Sequence, residues 1–457
     1  MAQGYASLLR AGSTAGKNAG LLSRAVRPLF VKLIVPALFL LVSHGLAEAA
    51  AMEVTLEDAY RLAVKSHESV RIAGEGIAQA RSGVGKATAP MLPHFTAEGA
   101  YTQYNTKKTV SGFLLQPDNS SRVDLTASQL IFSGGTEWNA RRAAKLNLRR
   151  TRRELDFAKE TAMLFTARAY FGLLKSEKDV EIKEAALKRA LERRKVARGR
   201  FRVGEVTKSN VLRAEAEVAE AEAELIKARN STRNAGNLLK RFLGIKGEVS
   251  VRQPEIKSEV SGEVEDFIST AFRKRLDLRE SAIDRDIASV GILAAWGGFL
   301  PRLTLEGTYS RREQDPTTSF LLKESISGAL VLTFPIFEGG LRRAELSEAK
   351  SKLREEDLKL MGLKKDIEIE VREAYNNVRE KEAVIESVKR QRSFAREDYR
   401  MVFEQFKAGL ATTVDVIDSD AELVSAERSL MNARFDMLLS VVELKYASGV
   451  LREELTR

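Results

Sequence analysis

Cysteine is absent from this chain of 457 residues. Disulfide bonds, thiolate metal sites and cysteine nucleophiles are therefore excluded. Histidine occurs only three times, and His67 and His94 stand alone in the sequence, as structural or exposed histidines usually do. The sequence also shows no nucleophile–base pair, metal-ligand cluster or phosphate-binding loop. It predicts neither an enzyme nor a cofactor.

Long apolar runs are missing as well. The stretch Leu33–Val42 near the amino terminus has about ten residues, which is too short for a membrane-spanning helix. Basic residues precede it and the small-residue stretch Ala47-Glu48-Ala49 follows it, which is the pattern of a secretory signal. We therefore predict a signal peptide over residues 1–49 and export of the remainder. Because no cysteine lies near the cleavage site, the sequence predicts no lipid anchor there.

Proline and aromatic residues are scarce, whereas charged residues make up 30% of the chain. The tracts 118–253 and 336–457 contain no proline, so nothing in them has to interrupt a helix. The formal net charge of +11 comes partly from the basic leader, and elsewhere basic residues alternate with acidic ones. Such alternation is typical of solvated helix faces and does not predict nucleic-acid binding.

The chain contains a tandem duplication. The turn Gly204-Glu-Val206-Thr207 recurs 205 residues later as Gly409-Leu-Ala411-Thr412. In each turn a glycine ends one helical pattern and a threonine begins the next. Other landmarks recur at the same offset: Gly134-Gly135, Tyr170, Phe201 and Ala228-Arg229 return as Gly339-Gly340, Tyr375, Phe406 and Ala433-Arg434. Each copy is therefore organised around the tip of one helical hairpin.

Two segments alternate with a period of two, which predicts β-hairpins at 94–132 and 302–336. In the first, Phe95, Ala97, Gly99 and Tyr101 alternate with polar or small residues. The remaining tracts follow helical periodicity. Trp138–Val203 and Leu341–Ala408 would each be on the order of 100 Å long if helical. Heptads from Val211 to Phe242 and from Val416 to Ala447 indicate coiled-coil packing.

These lengths predict the fold class: mainly α, with four strands per chain that contribute to a shared membrane β-barrel. Each copy stacks two shorter helices end to end beside one long helix, 54–89 with 208–243 and 264–298 with 414–448. The domains predicted are a first repeat at 50–243 with its tip turn at 204–207, a linker at 244–263 at mid-height, a second repeat at 264–448 with its tip turn at 409–413, and a carboxyl-terminal tail at 449–457.

Strands that are apolar on one face fit a barrel in lipid, where about 9–11 tilted residues cross the hydrocarbon. An open sheet edge is costly there, and four strands cannot close a barrel, which needs about eight. The barrel would then be shared, with eight strands from two chains or twelve from three. The alternative left open is a soluble sheet that caps a coiled-coil rod, a secreted structural or adaptor protein without a channel.

On these motifs the sequence resembles the TolC-like outer-membrane efflux factors. The resemblance rests on the duplicated plan, on both tips, and on Leu92-Pro93, Leu300-Pro301, Phe334–Gly340 and Val414–Asp418. It implies a homotrimer with a twelve-stranded barrel in the outer membrane and a helical tunnel in the periplasm. It also implies a passive exit duct for efflux or type I secretion, docked to a periplasmic adaptor and an inner-membrane pump or ABC exporter.

The resemblance places the pore-constricting aspartates at Asp415 and Asp418. These residues are three apart and so share one helix face, although acids also favour a helix start without any further role. The first copy has Asn210 and Arg213 instead, which indicates a feature specific to one tip. Adaptor docking is implied for the two tips, at Gly204, Val206, Thr207, Gly409, Ala411 and Thr412. The family's latch residues are replaced here by Phe406 and Ala411.

Overall fold

The computed structural model describes residues 52–254 and 261–455. The predicted signal peptide lies outside this range. The helices are α1 (Leu56–Ser66), α2 (Glu68–Thr88), α3 (Thr136–Arg202), α4 (Lys208–Leu243), α5 (Val264–Lys274), α6 (Leu276–Gly297), α7 (Leu341–Lys407) and α8 (Thr413–Ala447). The strands are β1 (Met52–Val54), β2 (His94–Gln103), β3 (Lys108–Val110), β4 (Phe113–Gln116), β5 (Asn119–Phe132), β6 (Val249–Val251), β7 (Arg302–Asp315) and β8 (Glu324–Thr333). None of the helices in these two ranges is both long and apolar enough to cross a membrane.

One antiparallel sheet collects the long strands in the order β2-β5-β7-β8. The register pairs Ala97 with Leu125, Leu125 with Tyr309, and Tyr309 with Ile326, so the apolar side chains of all four strands share one face. The opposite face is mainly polar. There Arg122 lies 2.9 Å from Asp124. Strands β2 and β8 are the sheet's edges.

The helices follow the sheet's order in the upper half, where α2 packs on α3, α3 on α6, and α6 on α7. In the lower half α3 pairs with α4 and α7 pairs with α8. The predicted heptad positions are buried in these pairs, among them Val211, Val218, Val416 and Leu423. The two 67-residue helices agree with the predicted tracts to within about two residues at each end, the usual uncertainty of a helix boundary.

Each stack of shorter helices joins at mid-height, as the lengths predict. Ser66 at the end of α1 donates a hydrogen bond to the Leu243 carbonyl at the end of α4 (2.8 Å). In the second copy Arg275 donates to the Ala447 carbonyl at the end of α8 (3.1 Å). Both bonds satisfy a carbonyl that a helix terminus leaves without an intrahelical partner.

Several boundaries differ from the predicted ones. The predicted single helices 54–89 and 264–298 are each two helices, because His67 and Arg275 adopt extended backbone between them. The amphipathic pattern continues across each one-residue interruption, so it does not reveal that one helix ends there and another begins. The loop inside the first hairpin contains the small hairpin β3–β4. The linker 244–263 contributes β6, which pairs in parallel with β1. The tail forms a 3-10 helix at Leu451–Leu455, with Leu451 fully buried.

Glu160 of α3 is buried where this 3-10 helix packs, and one of its carboxylate oxygens has no hydrogen-bond partner within the described residues. Burial raises the pKa of Glu160 to about 7, against the lowering effect of the backbone N–H groups of Arg452 and Leu451. The folded protein therefore binds this proton more tightly than the unfolded chain does. The stability that this proton contributes to the folded state is fully present below the pKa that Glu160 has in the unfolded chain. It is lost as the pH rises through 7.

We expect the wild type to lose about 2 kcal/mol of stability between pH 5.5 and pH 8 relative to Glu160→Gln, because the amide cannot ionise. Thermal melting of both proteins across this range measures the difference. Parallel pH profiles for the two proteins would contradict the assignment.

Candidate entrance at the helical tips

The two tips have the same backbone geometry. Gly204 and Gly409 have φ angles of 79° and 85°, the left-handed conformation in which a glycine ends a helix, and this confirms that both glycines are helix ends. At the first tip Glu205 N–H donates to the Arg200 carbonyl (2.9 Å), and at the second Leu410 N–H donates to the Gln405 carbonyl (2.8 Å). These are the bonds of a Schellman motif, which ends a helix at a glycine. Leu410 projects from the second tip and is 82% exposed.

The helix starts differ between the tips. Thr412 accepts a hydrogen bond from the Asp415 backbone N–H (3.2 Å), and the Asp415 carboxylate accepts one from the Thr412 N–H (2.7 Å). This is a complete capping box. Thr207 occupies the same position before α4 but makes no side-chain cap bond. The helix-start interpretation of Asp415 is therefore confirmed.

Asp415 and Asp418 are both exposed, as a role at an opening requires. The hydrogen bond from the Thr412 backbone lowers the pKa of Asp415, and the bond from the Thr412 hydroxyl adds to this. Asp415 therefore stays ionised at neutral pH. Asp418 makes no hydrogen bond or ion pair through its side chain within the part of the chain that the structure describes. The structure holds one protomer, so the pore role of the pair stays a prediction.

Arg200, near the end of α3, joins the two tips. Its guanidinium donates to the Phe406 carbonyl (3.0 Å), lies 5.7 Å from the centre of the Phe406 ring, and binds Glu205 (3.0 Å). Phe406 is only 2% exposed. Phe406, at the position where the resemblance implies a latch tyrosine, is thus held by a cation from the other copy.

A buried charge network lies above the tips and contacts all four lower helices. Arg193 of α3 is 1% exposed and donates to Asp420 of α8 (2.8 Å), to Glu217 of α4 (3.2 Å) and to the Tyr399 hydroxyl of α7 (3.2 Å). Arg189 of α3 also donates to Asp420. Burial by itself lowers the pKa of the Arg193 guanidinium, but Glu217 and Asp420 raise it overall. The network fixes the α7–α8 pair against the α3–α4 pair.

Sequence reasoning did not identify Arg200, Arg193 or Asp420. The contacts that join the two copies, Arg193 with Asp420 and Arg200 with the Phe406 carbonyl, span more than 200 residues, so spacing gives no signal for them. The one available hint was Asp420 itself, an acid next to Ser419, which occupies one of the predicted heptad positions between Val416 and Ala447. Among the described residues no group of His, Cys, Asp and Glu is arranged to hold a metal ion.

Comparison with known proteins assigns the family. The model of the outer membrane efflux protein family matches residues 59–245 and 267–450. The outer membrane protein TolC of Escherichia coli (strain K12) is 25% identical over 442 residues, 93% of this chain and 88% of TolC. The alkaline protease secretion protein AprF of Pseudomonas aeruginosa is 23% identical over 291 residues, 62% of this chain and 60% of AprF. The Campylobacter jejuni CmeC outer membrane channel shares the fold, with a TM-score of 0.73, 19% identity, and coverage of 87% of this chain and 86% of CmeC.

The chain therefore belongs to the outer membrane efflux protein family, and the resemblance seen in the sequence is confirmed. This is a family of channels rather than enzymes. The chain is an outer-membrane exit duct for efflux or secretion, with its helical part in the periplasm. That decides against the coiled-coil rod or adaptor without a channel.

Proposed function

We propose that three copies of this chain form the duct, with a twelve-stranded barrel in the outer membrane and a tunnel of helices below it. The observation that carries the proposal is the open four-stranded sheet. Its apolar face suits lipid, but β2 and β8 leave two edges of backbone groups that lipid cannot satisfy. Pairing β2 of one protomer with β8 of the next removes every edge, and the family resemblance implies three protomers.

Engineered disulfides test this arrangement well, because the chain has no cysteine of its own. Gly328→Cys on β8, combined in turn with Ala97→Cys, Gly99→Cys or Tyr101→Cys on β2, should give covalent dimers and trimers in at least one register. No larger species should form, because a closed ring of three has no free edge. The matched control pairs Gly99→Cys with Gly307→Cys on β7, an internal strand, and should stay monomeric in denaturant. Covalent dimers as the largest product in every register would contradict the trimer.

We infer that the tips dock a periplasmic adaptor, which links the duct to an inner-membrane pump or ABC exporter. Gly204, Thr207, Gly409 and Thr412 are exposed on two matching turns, and Val206 and Ala411 are half-buried beside them. Two similar surfaces per protomer suit a partner that binds at repeated positions around the duct. The proposed duct is passive, so it requires neither a catalytic group nor a cofactor of its own.

Replacing Gly204 or Gly409 by Val should abolish export while leaving the trimer intact. A β-branched residue at these φ angles is strained by about 1–2 kcal/mol, which would distort a turn whose shape the adaptor recognises. Export is measured in a strain that lacks the wild-type gene, and the trimer by size in detergent.

The control is Gly204→Asn, since asparagine tolerates the left-handed conformation and a Cβ at position 204 meets no atom within 4 Å. It should retain export. Normal export by both valine variants would show that the tips do not dock the partner.

We also propose that Asp415 and Asp418 line the entrance. In a trimer the pair would place six carboxylates around one opening, and Asp418 makes no ion pair with any of the described residues of its own protomer. The buried network at Arg193 would hold this entrance in a defined position by fixing the helix pair that carries the aspartates.

A further inference from the structure

A line of basic residues runs down α3 immediately below the sheet. Arg142, Lys145, Arg149 and Arg152 follow Trp138 at spacings of four, three, four and three residues, which places all five on one helix face. All five are exposed, Trp138 by 64%. We call this surface the basic stripe.

The cations of the basic stripe lack an anionic partner among the described residues. Within the described residues none of the four makes an ion pair or a side-chain hydrogen bond, although their neighbours do. Arg141 donates to the Thr88 hydroxyl (3.1 Å), and Arg150 lies 3.5 Å from Asp284. In the second copy Lys350 and Arg354 keep the charge of Lys145 and Arg149, but the positions of Arg142 and Arg152 are Ser347 and Asp357, so the full stripe of four cations occurs in the first copy alone. Four aligned cations without partners repel one another unless an anion binds them.

The stripe borders a groove of about 410 Å³ between α3 and α6. Arg142, Lys145 and Arg149 line one wall, and Asp286 and Ser289 of α6 line the other. Trp296, seven residues after Ser289 on the same face of α6, is 52% exposed. Because the helix order is α2-α3-α6-α7, the groove lies in the middle of the protomer. A neighbouring protomer would meet α2 or α7 and would leave the groove open.

The stripe points away from the lumen of the proposed duct. The same face of α3 continues down to Asp156, which pairs with Arg452 (2.9 Å), and to Tyr170, whose hydroxyl lies 2.9 Å from the Val54 carbonyl. A layer formed by β1, β6 and the carboxyl-terminal segment thus covers this face at mid-height, while Phe165 and Arg168 are exposed on the opposite face. Such a layer inside the tunnel would obstruct it, so the layer and the stripe lie outside.

The height of the stripe matches the phospholipid headgroups. Exposed Leu300, Phe334 and Ile336 extend the apolar face to the end of the sheet, where Trp138 and Trp296 follow. Tryptophan at that level is typical of a membrane–water interface. At 1.5 Å per residue Arg142 lies about 6 Å and Lys145 about 10 Å below Trp138, and Arg152 lies about 21 Å below it. The headgroup layer is about 5–8 Å thick, so long side chains at 142 and 145 reach it and Arg152 does not.

We propose that the basic stripe and the α3–α6 groove bind anionic phospholipid headgroups in the periplasmic leaflet of the outer membrane. The phosphate lies between Arg142 and Lys145, Arg149 adds to the attractive field, and the acyl chains pack against Trp138 and Trp296. This inference rests on the barrel proposed above, which sets the orientation of the sheet in the membrane.

The two tryptophans at this surface are the only ones in the chain, so their fluorescence reports on it without labelling. The trimer is reconstituted in phosphatidylcholine vesicles in which a fixed fraction of the lipid carries bromine on its acyl chains. That brominated lipid is either phosphatidylglycerol or phosphatidylcholine. The quenching should show that phosphatidylglycerol associates with the protein roughly threefold or more tightly than phosphatidylcholine does. This is the preference expected when at least one cation lies in the headgroup layer. Raising the salt to 1 M should remove most of the preference.

The variant Arg142→Gln/Lys145→Gln/Arg149→Gln should be quenched equally by both lipids. The control Lys188→Gln/Lys195→Gln/Arg202→Gln removes the same charge from the same helix, beginning about 75 Å below Trp138, and should behave as the wild type. Equal quenching of the wild type by both lipids would overturn the proposal. If soluble glycerol phosphate removed the preference for phosphatidylglycerol, the site would bind a free phosphate and not a lipid headgroup.

Tryptophans that neither lipid quenches would place the stripe inside the lumen. Conductance of the same trimer in a planar bilayer distinguishes a failure of the proposed headgroup site from a failure of the proposed duct. A conducting trimer without lipid preference refutes only the headgroup site, whereas a preparation that neither trimerises nor conducts refutes the duct.

Discussion

Replacing Arg193 by Met should loosen the periplasmic entrance and raise the conductance of the trimer several-fold. Of the residues that the structure describes, Arg193 alone bonds α4, α7 and α8 at once, and its loss leaves Glu217 and Asp420 without their shared cation. Breaking a buried pair in this way costs about 3–5 kcal/mol. Arg189 still neutralises part of the charge on Asp420, which favours the lower end of that range. Hydrogen exchange in α8 around Asp420 should quicken, and planar-bilayer recordings measure the conductance.

Arg198→Met is the matched control for this change. Arg198 pairs with Glu215 between the same two helices, α3 and α4, but both side chains are more than a third exposed. Exposed pairs contribute about 0–1 kcal/mol, so this variant should conduct as the wild type does. Equal effects of the two substitutions, on exchange or on conductance, would show that the buried network does not hold the entrance.

Replacing Asp415 and Asp418 together by Asn should strongly weaken the block of the channel by trivalent cations added at the periplasmic side. In the proposed trimer the wild-type carboxylates attract cations into the opening, and the amides keep the size of the side chains but remove the charge. We expect block to weaken by roughly tenfold or more and cation selectivity to fall, because the attraction scales with the number of charges. Since the pKa of Asp415 is lowered, its charge should persist in mildly acidic solution.

Two comparisons separate the pore role from the cap. Asp418→Asn alone should lose part of the block while leaving the capping box intact, because Asp418 takes no part in it. Asp398→Asn/Glu422→Gln removes two exposed acids elsewhere on α7 and α8 and should be blocked as strongly as the wild type. If the Asp415/Asp418 double variant is also blocked as strongly, these carboxylates serve only the helix start.

Features encoded by neighbouring residues could be predicted from the sequence. Gly204 and Gly409 end helices because a residue without a Cβ takes the left-handed conformation without steric cost, and Thr412-x-x-Asp415 begins the next helix by hydrogen bonds across three residues. Alternation along the strands placed the apolar residues on one face, since side chains in a strand point to opposite faces in turn. The 205-residue duplication revealed the architecture because each copy repeats the same local signals.

What the tertiary structure decided depends on contacts between distant residues. Arg193 meets Asp420 across 227 positions, and Arg200 meets the Phe406 carbonyl across 206, which no periodicity encodes. The breaks at His67 and Arg275 also escaped prediction, because a single extended residue redirects a helix without changing its apolar pattern. The sequence by itself determined the two long helices, the four long strands and the two turns, which arise from interactions within a few residues. Only the folded structure decided which charges are buried and which helices they join, because burial depends on the packing of all four lower helices together.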